Sequence, residues 1–174
     1  MKKLTCLIFG VIILSICACK RELPVCCGPT PTPSNGPTLS AQRNGAAWQP
    51  LEIKGTLRND TITISSLGIA GKTDTTFLLD SLSIKIKYTA PGSYKLTSDQ
   101  VSYYTVVTKQ FPYNHIDPLK SYTIDSSFDN EVDITSFDQS TGKVSGTFNL
   151  KLIDPASTAG ISLLDGKIGG LLSK

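Results

Sequence analysis

The sequence predicts an all-β fold, a single antiparallel β-sandwich or flattened barrel of about seven to nine strands. Three observations predict it. Residues 82–88 alternate strictly between apolar and polar side chains, the pattern of a strand buried on one face. Apolar runs recur at short spacing and are separated by Asn, Asp, Gly and Pro, residues that suit tight turns. Beyond the first 18 residues no segment carries a helical period, and sequential hairpins imply mostly antiparallel pairing.

The elements follow in order from Leu39. Residues 51–57 alternate loosely, Asn59-Asp60 turns the chain, and Thr61-Ile62-Thr63-Ile64-Ser65 alternates cleanly. Leu82-Ser83-Ile84-Lys85-Ile86-Lys87-Tyr88 puts its even positions in the core and its odd positions in water. Pro91-Gly92 then leads into Ser93-Tyr94-Lys95-Leu96. Residues 101–108 carry large side chains on both faces, so this strand is either central or covered by a loop. A short strand is expected at Tyr122-Thr123-Ile124. A hairpin follows, with residues 132–138 running out, 139–142 turning and 143–152 returning. Val144, Phe148, Leu150 and Leu152 share one face of the return strand. Phe137 is out of phase with Val132 and Ile134, which calls for a bulge between them. The last strand is expected around Ile161-Ser162-Leu163-Leu164, bent at Asp165-Gly166 and continued by Ile168, and Gly169-Gly170 argues against a terminal helix.

The first 39 residues are of another kind. Lys2-Lys3 precede an apolar stretch from Leu4 to Ile16. That stretch is shorter than the ~20 residues a membrane-spanning helix needs, and Lys20-Arg21-Glu22 ends it. It reads as an export signal. Ile16-Cys17-Ala18-Cys19 resembles a lipoprotein cleavage box, with small Ala18 before the cut and Cys19 as the lipidation site. Cys17 is a poorer acceptor because it would place branched Ile16 at the cut, and ordinary secretion without lipid is the remaining alternative. The resemblance implies a diacylglyceryl thioether on Cys19 and an acyl chain, such as palmitate, on its amine. Each buried CH₂ contributes about 0.8 kcal/mol, so several chains together make a stable anchor. Residues 20–39 hold Pro24, Pro29, Pro31, Pro33 and Pro37 among small polar residues. Such a tether covers ~3.1 Å per residue when extended. The expected organisation is therefore 1–18 signal peptide, 19–39 lipidated cysteine and Pro/Thr-rich linker, and 40–174 β-sandwich domain. The expected location is the cell envelope, at the outer membrane, on a face the sequence does not specify.

Composition narrows the function classes. The chain has 17 basic and 14 acidic residues, and the excess falls to a single charge once Lys2 and Lys3 leave with the signal. The lysines are scattered on strand faces, so no nucleic-acid partner is expected. Of five cysteines, Cys6 and Cys17 lie in the signal and Cys19 at its end. Cys26 and Cys27 sit in the linker, and none lies between Gly28 and Lys174. The folded domain therefore has neither a disulfide nor a thiolate metal site. The adjacent Cys26-Cys27 pair could bond to itself, link two chains or stay unpaired.

Asn44-Gly45-Ala46-Ala47-Trp48 opens the domain and Gly92-Ser93-Tyr94-Lys95-Leu96 follows its central strand. Asp138…Gly142-Lys143-Val144-Ser145-Gly146-Thr147-Phe148 forms the late hairpin, and Asp165-Gly166-Lys167-Ile168 closes the domain. This order resembles a family of small, uncharacterised Bacteroidota lipoproteins whose domain has no assigned function, over residues 40–170. The resemblance implies the β fold, the lipid anchor and the type of organism. It implies no catalytic residue.

The strongest functional feature is the aromatic-rich connection after residue 103. Tyr104, Phe111, Tyr113, His115 and Tyr122 are the candidate binding residues, because rings on a long loop bury much area at low entropic cost. His115 is the only histidine. A Ser-His-Asp triad would have to use it, but no G-x-S-x-G elbow accompanies it. A His-x-Asp pair with Asp117 lacks the further ligands of a zinc site. Asp125, Asp129, Asn130, Glu131 and Asp133 lack the calcium-loop spacing and read as a solvated turn. Trp48, the single tryptophan, reads as a plug for one end of the sandwich, with a ligand platform as the alternative. Neither metal nor cofactor is expected. The leading expectation is a non-catalytic binding or accessory module, held to the membrane by lipid on Cys19, with an envelope protein or glycan as partner. The alternatives are a small barrel carrying an apolar ligand and an envelope hydrolase using His115 or a carboxylate pair.

Overall fold

The computed structural model describes residues 36–72, 77–108, 120–157 and 159–174. These belong to a compact unit spanning Ser34–Lys174. Eleven strands make it up: β1 (Thr38–Arg43), β2 (Ala46–Trp48), β3 (Glu52–Arg58), β4 (Thr61–Lys72), β5 (Phe77–Lys87), β6 (Gly92–Lys95), β7 (Val101–Thr108), β8 (Lys120–Ile124), β9 (Glu131–Asp138), β10 (Lys143–Ile153) and β11 (Gly160–Leu171). All strand pairs are antiparallel and join in the order β2-β1-β11-β10-β8-β7-β5-β4-β3, with β9 also on β10 and β6 on β9.

This sheet folds over itself without closing into a barrel. Its inner faces meet in one core that joins Ile62 and Ile64 of β4, Leu82, Ile84 and Ile86 of β5, Val132 and Ile134 of β9, and Phe148, Leu150 and Leu152 of β10. A single clasp ties edge strand β3 to the chain's end: Ser173 N donates to Gly55 O and Leu57 N to Ser173 O, both at 2.8 Å.

The strand count exceeds the expectation because the short hairpin β1–β2 was not anticipated. Its strands are short, and the Thr38-Leu39-Ser40-Ala41-Gln42 alternation that buries Leu39 and Ala41 spans only five residues, with Trp48 buried from β2. β1 starts at Thr38, and Leu39 is the first of its buried side chains.

The long strands behave as the alternation demands. Lys85 and Lys87 are exposed and alternate with buried Ile84, Ile86 and Tyr88. The expected bulge exists: Ser145 pairs with Ser136 and Gly146 with Ile134, which leaves Thr135 as the extra residue and shifts Phe137 out of phase. A second bulge sits at Asp165, whose φ is +52°. Phe148 pairs with Gly166 but Leu150 with Leu163. Asn149 Oδ1 receives the Asp165 N–H at 3.0 Å.

β10 changes partner along one edge. It pairs with β9 up to Asn149 and with β8 from Leu152. The buried Asn130 side chain bridges the switch. Its Oδ1 accepts Lys151 N–H at 2.7 Å, and its Nδ2 donates to Asp125 O and Phe128 O.

Candidate functional site

Register gathers several connections at one end of the sheet. Cross-strand partners next to these connections are Arg43 with Ala46, Leu163 with Arg43, Ile153 with Gly160, Lys120 with Thr105, and Phe77 with Lys72 and Thr108. The β1–β2, β10–β11, β7–β8 and β4–β5 connections therefore leave from the same end. Asn44 and Gly45 turn the first with φ of +50° and +80°, the pair of positive φ values that an Asn-Gly hairpin turn requires. The Asn44 side chain accepts from Ser162 N–H at 2.8 Å, holding that turn to β11. Asp154 organises the second connection by accepting from Ala156 N–H, Ser157 Oγ and Lys120 Nζ.

Just inside this end lies a buried polar cluster. Asp80 of β5 is fully buried. Its carboxylate accepts both contacts of the Trp48 indole N–H, at 3.0 and 3.2 Å, and the Tyr103 hydroxyl at 2.9 Å. Arg43 completes the group. Its Nε donates to the Tyr103 hydroxyl oxygen at 3.1 Å and lies 3.4 Å from Asp80 Oδ2. Burial, and then the Asp80 charge, push the Tyr103 phenol far above its ordinary pKa, so it stays a neutral donor. Gly68 makes room for the group. It pairs with Asp80 across β4 and β5, and a Cβ there would lie 2.6 Å from Asp80 Oδ1 and 3.2 Å from Trp48 Nε1. A buried charge is tolerated only when paired and hydrogen-bonded, and three strands, β1, β2 and β7, supply those partners. The cluster thereby ties the β1–β2 hairpin to β5 and β7.

The cluster was not anticipated, although a signal existed. Counting back from Ile86, Ile84 and Leu82 in steps of two reaches Asp80, an acid on the core face of the central strand. Trp48 is indeed buried, and its indole serves Asp80.

The expected binding residues fall in different places. Tyr122 pairs with Tyr103 and packs edge-on against its ring, with centroids 5.5 Å apart. Tyr104 pairs with Ser81 and Ser121 on the opposite face and lines a shallow groove of about 280 Å³ with Lys54, Ser65 and Ser81. The alternation of a strand thus separates Tyr104 from Tyr122. Phe111, Tyr113, His115 and Cys19, the expected lipidation site, lie outside the described residues. The acidic run is distributed among local partners: Asp125 with Ser127 and Lys151, Asp129 with Lys95, and Glu131 with Ser93. A wider groove, about 660 Å³, runs along the β2 edge between Gln42, Ala47, Gln49, Ile69 and Lys167.

No curated protein and no solved structure matches the chain. The model of one family, described as a domain of unknown function (DUF6252), matches residues 35–168. That span includes the hairpin β1–β2, the Asp80 cluster and most of β11, and the chain belongs to the DUF6252 family.

Proposed function

We propose that this chain is a lipid-anchored cell-envelope protein, held at the outer membrane through Cys19, whose β domain is a non-catalytic binding or accessory module for an envelope protein or glycan. The observation that carries the recognition reading is that the strand ends from which the β1–β2, β4–β5, β7–β8 and β10–β11 connections leave lie at one end of the sheet. Connections on a rigid scaffold are where recognition residues concentrate. The inner faces are filled by side chains such as Ile62, Leu82, Phe148 and Leu150, which favours recognition at the surface over carriage of a ligand inside. The anchor reading rests on Lys2-Lys3, the apolar run to Ile16 and the Ala18-Cys19 step.

Capture from envelope extracts and a glycan panel with the full-length chain tests recognition. A saturable partner that competes with itself is the expected result, and its absence from both panels would sink the recognition reading. Membrane fractionation of Cys19→Ser tests the anchor. The expected result is release into the soluble fraction with loss of labelled fatty acid. Retention with label still attached would refute the anchor.

A further inference from the structure

We infer that Arg43 is an oxyanion-binding residue at the loop end of the domain, and that the ligand is a saccharide bearing a carboxylate or sulfate. This deepens the recognition reading and rests on it.

The guanidinium is held from one side only. Its Nε points to Tyr103 and Asp80. Neither Nη nitrogen has a hydrogen-bond partner among the described residues, although the side chain is only 20% exposed. Arginine carries five N–H donors in a fixed plane. Holding Nε to the Tyr103 hydroxyl, beside the buried Asp80 carboxylate, orients the plane and leaves the two Nη groups as a fork, the geometry that carboxylates and sulfates accept in bidentate fashion. Because that plane is already ordered, little side-chain entropy is lost on binding.

Tyr103 links this fork to an aromatic surface. Its hydroxyl meets Arg43 and its ring meets the half-buried Tyr122. Arg43 and Tyr122 therefore flank one side chain, Tyr103. A ring face suits the C–H side of a sugar, while the fork takes its acidic group. The surrounding rim is polar, with Asn44, Ser162 and the Lys120–Asp154 pair at the same end.

The test is calorimetric titration of the full-length chain with uronate and sulfated oligosaccharides, their neutral counterparts, and inorganic sulfate and acetate. Acidic saccharides should bind, with affinity falling as salt rises. Neutral saccharides should bind at least tenfold more weakly. Arg43→Lys keeps the charge but loses the fork, and should weaken acidic saccharides at least tenfold. In the unaltered chain, the Arg43 side-chain N–H resonances should shift on titration, a readout that holds even if the variant folds poorly. Equal binding of neutral saccharides overturns the inference. So do unmoved Arg43 resonances, or inorganic anions binding as tightly as the saccharides. Capture of some other partner with no acidic saccharide bound overturns this inference alone, whereas no partner of any kind overturns the recognition reading beneath it.

Discussion

The indole N–H of Trp48 points at the carboxylate of Asp80, 3.0 and 3.2 Å from its two oxygens, inside the core. The two residues lie 32 positions apart, and their contact joins the first hairpin to the central strand. β1 of this hairpin is already paired to β11, whereas β2 has three residues and is paired to β1, so Trp48 is its tie to β5. Asp80→Ala should leave the Trp48 N–H, the Tyr103 hydroxyl and most of the Arg43 charge without their acceptor. Removing one partner of a buried pair costs about 3–5 kcal/mol. Trp48→Phe leaves the carboxylate its other two partners and should cost less, about 1–3 kcal/mol, from the lost hydrogen bond and the smaller ring. Equilibrium denaturation checks both values. Equal stability of Asp80→Ala and the unaltered chain would mean that the cluster is incidental to the fold.

Most of the fold was legible because long strands carry their own period. Residues 82–88, 132–138 and 143–152 show which face is buried, and Phe137 even reveals the bulge at Thr135 by falling out of phase. The hairpin β1–β2 was not legible. Its strands are short: Leu39 and Ala41 alternate with polar neighbours over only five residues, and the burial of Trp48 depends on a partner 32 positions away. The same distinction holds for the site. Tyr122 was singled out as an aromatic near a long connection, and in the structure it packs on Tyr103 beside the cluster. Asp80 and Arg43 were missed because their meaning lies in each other, across strands that only the topology brings together. The grouping of Tyr104 with Tyr122 assumed that nearness in sequence means nearness in space, and adjacent strand positions at 103 and 104 face opposite ways.

Gly166 should be intolerant of any side chain. It pairs with Phe148, and a Cβ built at Gly166 would overlap the Phe148 ring. Phe148 is among the largest fully buried side chains, so it has no free volume into which to retreat. Gly166→Ala is expected to cost about 1–3 kcal/mol through overpacking. Combining it with Phe148→Leu should recover part of the Gly166→Ala loss. Thermal melts of the two single variants and the pair measure the coupling, and strict additivity would show that the ring and the new methyl do not meet.

Asp138 should confer an acid-dependent component of stability. The Ser140 hydroxyl, then the Thr141 hydroxyl, and after them the Ser140 N–H donate to its carboxylate and lower its pKa to about 2. An unfolded Asp titrates near ~3.9. The folded pKa is depressed, so the contribution is fully present above about 4 and is lost as pH falls through about 2. Because the group is exposed, the effect on global stability should be small and is best read at the site. Carboxyl NMR titration should place Asp138 near 2, and a Ser140→Ala, Thr141→Ala chain should move it up toward the ordinary carboxylate range. An unchanged value in that variant would assign the depression to something other than the turn.

Asn130 should matter more than its place in an acidic run suggests. β10 leaves β9 after Asn149 and meets β8 at Leu152, so its edge has no strand partner at Lys151. The Asn130 Oδ1 takes the Lys151 N–H, and Asp125 N–H reaches Lys151 O at 2.8 Å. An unsatisfied buried N–H costs about 1–3 kcal/mol, and Asn130→Ala should lose that much. Asn130→Asp keeps the acceptor but replaces the donor to Asp125 O and Phe128 O with a negative charge facing two carbonyls. It should therefore be no more stable than Asn130→Ala. Hydrogen exchange separates a local from a global effect. The Lys151 amide should lose protection in Asn130→Ala by more than its β10 neighbours Leu150, paired to β11, and Leu152, paired to β11 and β8, whose pairing is untouched. Equal loss along the strand would show that the side chain stabilises β10 as a whole rather than covering the single position at which its partner changes.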